Sequence, residues 1–394
     1  MKLWPTPAPK ITLIYDIGSS TIGAALVTLE KNKRPIVHYT VRRPIAFQKQ
    51  VEPEKLIFAK KNALKETTEI ILKSGISTLK VDLHKNIKIH DIYCVLGAPW
   101  YVSKTAIIKV EKPESFEIDK NSVDILIEHQ EEEFKKSLQK EGLDRLTILE
   151  KKIVHAKADG YAVQILSGRK MKTLELSIFL SLSENKVLSH IKEVLHPFFS
   201  FKKIHFHSFP LAYFSTARDM FPQISDFLSV DIRGELTEVS LVQRGVLVET
   251  VSFPLGRHSL IRMFAEKLKF TPEVALSFLK LYISGKIERD MKLEMQKVVD
   301  LVEKDWRVTF DSALAEISTK TLIPNRIFVA SDFDIGNLYA SWIKTEKIDR
   351  LGIASDFHVE YIDETYFAKA LLWSKRSIHD SFLALSILFI NKII

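Results

Sequence analysis

The chain has 394 residues, a formal net charge of +8, one cysteine, and 46% hydrophobic against 27% charged residues. That length allows two or more domains with sizeable cores, and the composition excludes a disordered chain or a disulfide-stapled miniprotein. Lysines are spread along the sequence without a compact basic block, so no nucleic-acid partner is expected.

The opening MKLWPTPAPK lacks the hydrophobic segment of a signal peptide, and no apolar run reaches the roughly 20 residues that span a bilayer. A cytoplasmic location follows, with or without peripheral contact at the inner face of the plasma membrane. Residues 11–29, ITLIYDIGSSTIGAALVTL, read as an apolar strand, a Gly/Ser turn and a second apolar strand. RPIVHYTVRRPIAF adds a half-buried strand, and residues 53–74 carry a helical pattern through Leu56, Ala59, Ala63, Leu64, Ile70 and Ile71. Residues 87–97 form a buried strand closed by Gly97 and Pro99. Cys94 lies in that strand among apolar neighbours, which makes it a small core residue rather than a nucleophile.

The next block has a different character. KTAIIKVEKPESF reads as an edge strand and loop, followed by an amphipathic helix from Asn121 to Lys140 with Val123, Leu126, Ile127, Phe134 and Leu138 on one face. LTILEKKIVHAKA, YAVQIL and TLELSIFLSLS are strand-like, so residues 90–182 form a small α+β module. Strand and helix then alternate. ENKVLSHIKEVLHPFF is a helix, FKKIHFHSF a strand, and PLAYFSTARDMF a helix opened by Pro210. A second hairpin, SVDIRGELTEVSLVQRGVLVET, leads through a Gly256 turn into a helix, and residues 271–321 are mostly helical. NRIFVASDFD is a buried strand, NLYASWIKTE its following helix, FHVEYID a last strand, and SIHDSFLALSILFINKII a strongly apolar helix.

The two hairpins share one order: apolar strand, Asp, tight turn, Thr, apolar strand, the pattern of two related halves facing one cleft. A phosphate chain needs backbone N–H groups at close range, which small residues permit; hydroxyls add hydrogen bonds, and a carboxylate holds Mg²⁺ through water. In the first turn Asp16, Gly18, Ser19, Ser20 and Thr21 meet these demands.

In motif order and spacing the chain resembles the actin-like ATPases of the FtsA/PilM group, the bacterial division adaptor FtsA and the pilus assembly protein PilM. DIGSSTIGAALV is similar to the first phosphate motif and VDIRGELTEVSLVQRGVLVETVSFPLG to the second with its following turn. FPLAYFSTA is similar to the connecting segment, and NRIFVASDFDIGNLYASWI to the adenosine motif. The resemblance implies an α/β, actin-like (ribonuclease H-like) fold of two lobes around a cleft, with the α+β (SHS2-like) subdomain inserted at 90–182. The first lobe would comprise 1–89, 183–226 and a C-terminal helix in 362–394, and the second 227–361. ATP and Mg²⁺ are the implied cofactors. Asp16, Gly18, Ser19, Ser20, Thr21, Asp231, Arg233, Gly234, Thr237, Gly256, Ala330 and Ser331 would contact nucleotide, and Asp16 and Asp231 would hold Mg²⁺ through water.

Departures from the pattern lie in the second hairpin and beyond. The family's D-I-G-G-G-T-T-D becomes Asp231, Ile232, Arg233, Gly234, Glu235, Leu236, Thr237 and Glu238; Phe209 replaces an acidic residue; and the family's paired glycines are replaced around Ala330, Ser331 and Asp332. A carboxylate at Glu235 near a phosphate would repel it by about 4 kcal/mol at roughly 4 Å and an effective dielectric near 20. Arg233 would offset this by contacting phosphate or by pairing with Glu235. The expectation is weak or lost ATP hydrolysis with no catalytic residue, nucleotide binding being open.

The FtsA resemblance implies an adaptor linking a tubulin-like division filament to the membrane, capable of self-association. That FtsA-like role is the expected one; the alternative that the PilM resemblance implies is a platform for pilus-assembly proteins. A working ATPase of the sugar-kinase or chaperone type is the competing class. His205 and His207 share one strand face but have no carboxylate or cysteine beside them in sequence, so they read as ordinary strand histidines. The terminal apolar helix is hydrophobic nearly all round, which favours a buried element over a membrane-surface one. No G-x-S-x-G elbow is present to suggest a serine hydrolase.

Overall fold

The computed structural model describes residues 10–83, 87–163, 168–199, 202–318, 322–332, 335–344 and 356–394. The first hairpin is β1 (Ile11–Ile17) and β2 (Thr21–Thr28), followed by β3 (Ile36–Pro44). A helical stretch then runs as α1 (Pro53–Ile70), a π-helical turn at Ile71–Gly75, and α2 (Ile76–Leu83). Strand β4 (Ile89–Leu96) precedes the module, and β9 (Ile204–Ser208) and α5 (Phe209–Met220) follow α4 (Asn185–Leu195) beyond it. The second hairpin is β10 (Phe227–Ile232) and β11 (Thr237–Gln243), extended by β12 (Val246–Phe253). Helices α6 (Arg257–Lys267), α7 (Pro272–Ile283) and α8 (Arg289–Ser318) lead to β13 (Arg326–Ser331), α9 (Gly336–Lys344), β14 (His358–Tyr361), β15 (Leu372–Trp373) and α10 (Ser381–Ile393).

Two of the three sheets repeat one plan. The first has the order β15-β3-β2-β1-β4-β9 and the second β12-β11-β10-β13-β14. In each, a hairpin pairs antiparallel with a third strand on one side, and its leading strand pairs parallel with a following strand on the other. Asp16 lies opposite Gly23 and Asp231 opposite Glu238, so the two aspartates hold equivalent positions next to the last residue of their strands. The internal similarity of the hairpins is therefore a similarity of whole sheets.

Each sheet has its own core. Leu13, Tyr15, Ile22 and Leu96 pack under α1 and α4, whereas Val230 and Val239 share a core with Phe264 of α6 and Trp306 and Phe310 of α8. On the opposite face, α5 and α10 lie side by side in a third cluster containing Phe209, Phe214, Phe328, Phe382 and Phe389, which joins the two halves. Helix α10 is buried along most of its length, as its all-round hydrophobicity suggests. Asp380 caps it, accepting a hydrogen bond from the Leu383 amide at 3.0 Å. Among the described residues no helix is long and apolar enough to cross a membrane.

The third sheet, β5-β8-β6-β7, belongs to the α+β module. It comprises β5 (Val102–Glu117), α3 (Lys120–Lys140), β6 (Leu146–Ala158), β7 (Tyr161–Ala162) and β8 (Lys170–Glu184). The expected edge strand is longer than its sequence suggests. It runs past Pro113 because that residue falls in a register irregularity between Glu111 and Phe116 on an edge, where a missing N–H costs no ladder bond. Part of the expected YAVQIL strand, at 164–166, lies outside the described residues, as do Phe333 and Asp334 of the adenosine segment, 345–346 of the helix after it, and 319–321 of the long helical stretch.

Candidate nucleotide clamp

The two hairpin turns press directly against each other. Gly234 sits so close to the first turn that a Cβ placed on it would fall 2.6 Å from the Ser20 Cβ and 2.9 Å from the Ser20 amide nitrogen. Ser19 Oγ accepts a hydrogen bond from the Glu235 amide at 3.1 Å, and Ser20 Oγ donates to Asp332 at 2.7 Å. The first turn thus bonds both the second turn and the end of β13.

Arg233 fills the space between the turns. Its Nε donates to Asp231 at 2.8 Å, and its Nη1 reaches the two Asp16 oxygens at 3.0 and 3.3 Å. The guanidinium lies over two rings, with Cζ 4.3 Å from the Phe209 centroid and 4.2 Å from that of Phe382. Glycines make the room: a Cβ on Gly97 would lie 2.5 Å from Arg233 Cζ, and one on Gly18 2.7 Å from Nη1. A planar cation held by two carboxylates and two aromatic faces is a strongly determined arrangement. Phe209, noted in the sequence as replacing an acid, supplies one of those faces.

Asp16 carries a second cation. Arg42, near the end of β3, donates to Asp16 at 2.9 Å, to both Asp380 oxygens at 2.5 and 2.9 Å, and to Thr21 Oγ1 at 2.7 Å. Burial raises Asp231 to about 6; the charge and hydrogen bond of Arg233 hold it down in part, while Asp16 and Asp332 push it up. Burial also drives Glu238 up to about 8, countered by a hydrogen bond donated by Tyr101 Oη at 2.5 Å.

The expected pairing of Arg233 with Glu235 does not occur. Glu235 turns toward α6, bonding His258 at 2.8 Å and Arg262 at 2.6 Å. Burial alone would raise its pKa, but hydrogen bonds and charge from His258 and Arg262 outweigh that and hold it below the ordinary carboxylate value. Across the turn, with Gly234 between them, Arg233 faces the first hairpin and Glu235 the helix.

The remaining sequence-nominated residues are engaged within the protein. The Gly18 carbonyl accepts from Trp100 Nε1 at 2.6 Å. Thr237 Oγ1 donates to the Leu255 carbonyl at 2.6 Å and accepts from Trp306 Nε1 at 3.2 Å. Gly256 opens α6, whose first amides at Arg257 and His258 donate to the Arg233 and Gly234 carbonyls at 2.8 and 2.7 Å. Those helix-terminal N–H groups, the usual anion donors of such a site, are spent on the turn itself. Ala330 is fully buried, and Ser331 lines a cavity of about 470 Å³ together with Arg42, Asp332, Glu364, His379 and Asp380.

Residues that the sequence did not single out are Arg42, Trp100, Tyr101, Asp380 and Phe382. Only Asp380 had a local signal, an acid directly before an apolar helix. Away from the clamp, His205 and His207 lie against the Tyr93 ring, with centroids 4.8 and 6.0 Å apart, and His207 also bonds Glu150. No group of three or more metal-ligating side chains occurs among the described residues. Cys94 is fully buried, and burial pushes its thiol up, away from the reactive thiolate.

Mg²⁺ and a phosphate chain do not fit this arrangement. Asp16 and Asp231 are both bonded by Arg233, the turns are in contact, and the α6 amides are occupied.

Two sheets built around the same hairpin plan, meeting through their leading hairpins with two central helices behind, define the actin-like ATPase fold. The structure of a PilM–PilN type IV pilus biogenesis complex matches with a TM-score of 0.59 at 13% identity, over 98% of this chain and 97% of that one. The ethanolamine utilization protein EutJ from Carboxydothermus hydrogenoformans aligns at a TM-score of 0.41 and 12% identity, over 99% and 91%. No family model matches the sequence, and no curated protein matches it. The fold agrees with the FtsA/PilM resemblance of the motifs.

Proposed function

We propose that the chain is an actin-fold assembly platform of the PilM kind, working at the inner face of the plasma membrane through protein contacts rather than ATP turnover. The observation that carries this reading is the nearly end-to-end likeness, in both directions, to PilM from a complex with PilN. Its partner would be a pilus-assembly protein of the PilN type. The closed clamp speaks against the working-ATPase alternative, because the groups that would receive nucleotide and metal are engaged with one another. The FtsA-like adaptor, with a tubulin-like filament as partner and self-association as its mode of action, shares the motif order and is the alternative outcome of the same test.

Deletion of the gene in its native host, with electron microscopy of the cells, separates the two. Loss of surface pili with normal cell length, together with co-purification of a PilN-type protein on the tagged chain, is the expected result. Long undivided cells that keep their pili would overturn it in favour of the division role.

A further inference from the structure

The clamp brings together two carboxylates, Asp16 and Asp231, at equivalent ends of the two sheets, and a guanidinium from the second turn bonds both. We propose that Arg233 is a chain-encoded substitute for a divalent cation, which keeps the two lobes closed without nucleotide. This deepens the platform reading only in its independence of ATP and does not depend on which partner is bound.

Four observations converge on that role. Arg233 is 2% exposed and spans the two hairpins, joining the aspartates as a shared cation would. Gly18 and Gly97 leave space for its side chain, and the neighbouring rings of Phe209 and Phe382, 5.4 Å apart and edge to face, both lie against the guanidinium. Each of the three carboxylates already has a cation from the chain: Arg42 and Arg233 serve Asp16, Asp231 and Asp380, with Asp380 also capping α10. A dication added to this set would meet two fixed guanidinium groups at a buried site. Finally, Asp231 Oδ1 is buried and makes no hydrogen bond, so one carboxylate oxygen stands ready for a cation once the arginine is removed.

Glu235 is held separately by His258 and Arg262, so Arg233 is changed alone, leaving that ion cluster intact. The full-length protein and its R233G variant are melted by scanning fluorimetry in EDTA, in millimolar MgCl₂, and in MgCl₂ with ATP. The wild type is expected to give one melting temperature in all three conditions. R233G should lose several degrees in EDTA and recover most of that loss in MgCl₂, and D16N added to R233G should abolish the recovery. A wild-type protein stabilised by MgATP, or an R233G variant indifferent to Mg²⁺, would overturn the proposal. If R233G does not fold, R233A decides in its place, because alanine also removes the cation without loosening the backbone of the turn. Stabilisation of R233A by Mg²⁺ supports the substitution, and indifference overturns it.

Discussion

Lys60 lies fully buried on α1 with its ammonium 3.9 Å from the centre of the Trp100 ring and no hydrogen-bond partner. Burial, with some repulsion from Lys61, lowers its pKa from 10.5 to about 7. The unfolded chain therefore binds a proton between pH 7 and 10.5 that the folded chain has released. Stability attributable to this residue rises as pH rises through that window, and the penalty is full below pH 7. Replacing Lys60 with Met keeps the length of the stem and removes the charge. The expected result is a higher melting temperature for Lys60→Met, with the gain larger at pH 6.5 than at pH 9.5, measured by calorimetry at both pH values. At this scale the sequence is a poor guide. Lys60 reads as one of many solvated lysines, and its burial follows from the seating of Trp100 behind the first turn, which no local pattern announces. Arg233 is different, because a long cation where the resembled motif has glycine is conspicuous, although its partner Asp16 lies in another hairpin.

Among the elements, β6 contains a device that docks the inserted module onto the first sheet. The register shift between Ile148 and Glu150 re-aims Glu150, which is 6% exposed, toward β9. Its carboxylate accepts from the Ser208 amide at 3.0 Å, Ser208 Oγ at 2.7 Å, His207 Nδ1 at 3.1 Å and the Ser181 hydroxyl. Glu150→Ala would leave buried donors unpaired at the start of α5, at a cost of about 3 kcal/mol. Urea unfolding should show that loss, and hydrogen exchange should speed up in β9 and the first turn of α5. Unchanged protection there would mean the contact does not dock the module. Most elements are legible in the sequence because alternation and helical periodicity are local properties, and both hairpins, α3 and α5 fall where their patterns place them. The bulge at Glu150 and the two-residue β15 are not legible, since each exists only by virtue of the strand beside it.

For the molecule as a whole, the contact between Asp332 and the first turn crosses the cleft. Asp332 receives a hydrogen bond from Ser20 at 2.7 Å and a longer one from Thr21 at 3.4 Å. Asp332→Ala would strand the buried Ser20 hydroxyl at a cost of about 1–3 kcal/mol. Hydrogen exchange is then expected to rise together in the β1–β2 and β10–β11 turns, because the two halves open as one. A response confined to one turn would show that they move separately. The two-lobed plan is legible from the paired Asp-turn-Thr hairpins, and the altered second turn marks where Arg233 enters the space between them. The closure itself was not legible, because Asp16, Arg42, Arg233, Asp332 and Asp380 come together only in three dimensions.

The placing of β15 and α10 against the first sheet has a consequence for the order in which the protein is made. Val37 pairs with Trp373, and Ile14 shares a core with Phe382 and Ile390, so the part of the chain translated first waits for the part translated near the end. The strands and helices between Phe227 and Tyr361 need no such wait, because their sheet and their core are drawn from one continuous stretch. The half that starts second is thus able to finish first on the ribosome, and the hairpin at Asp16 meets Arg233 only after its own support has been delivered.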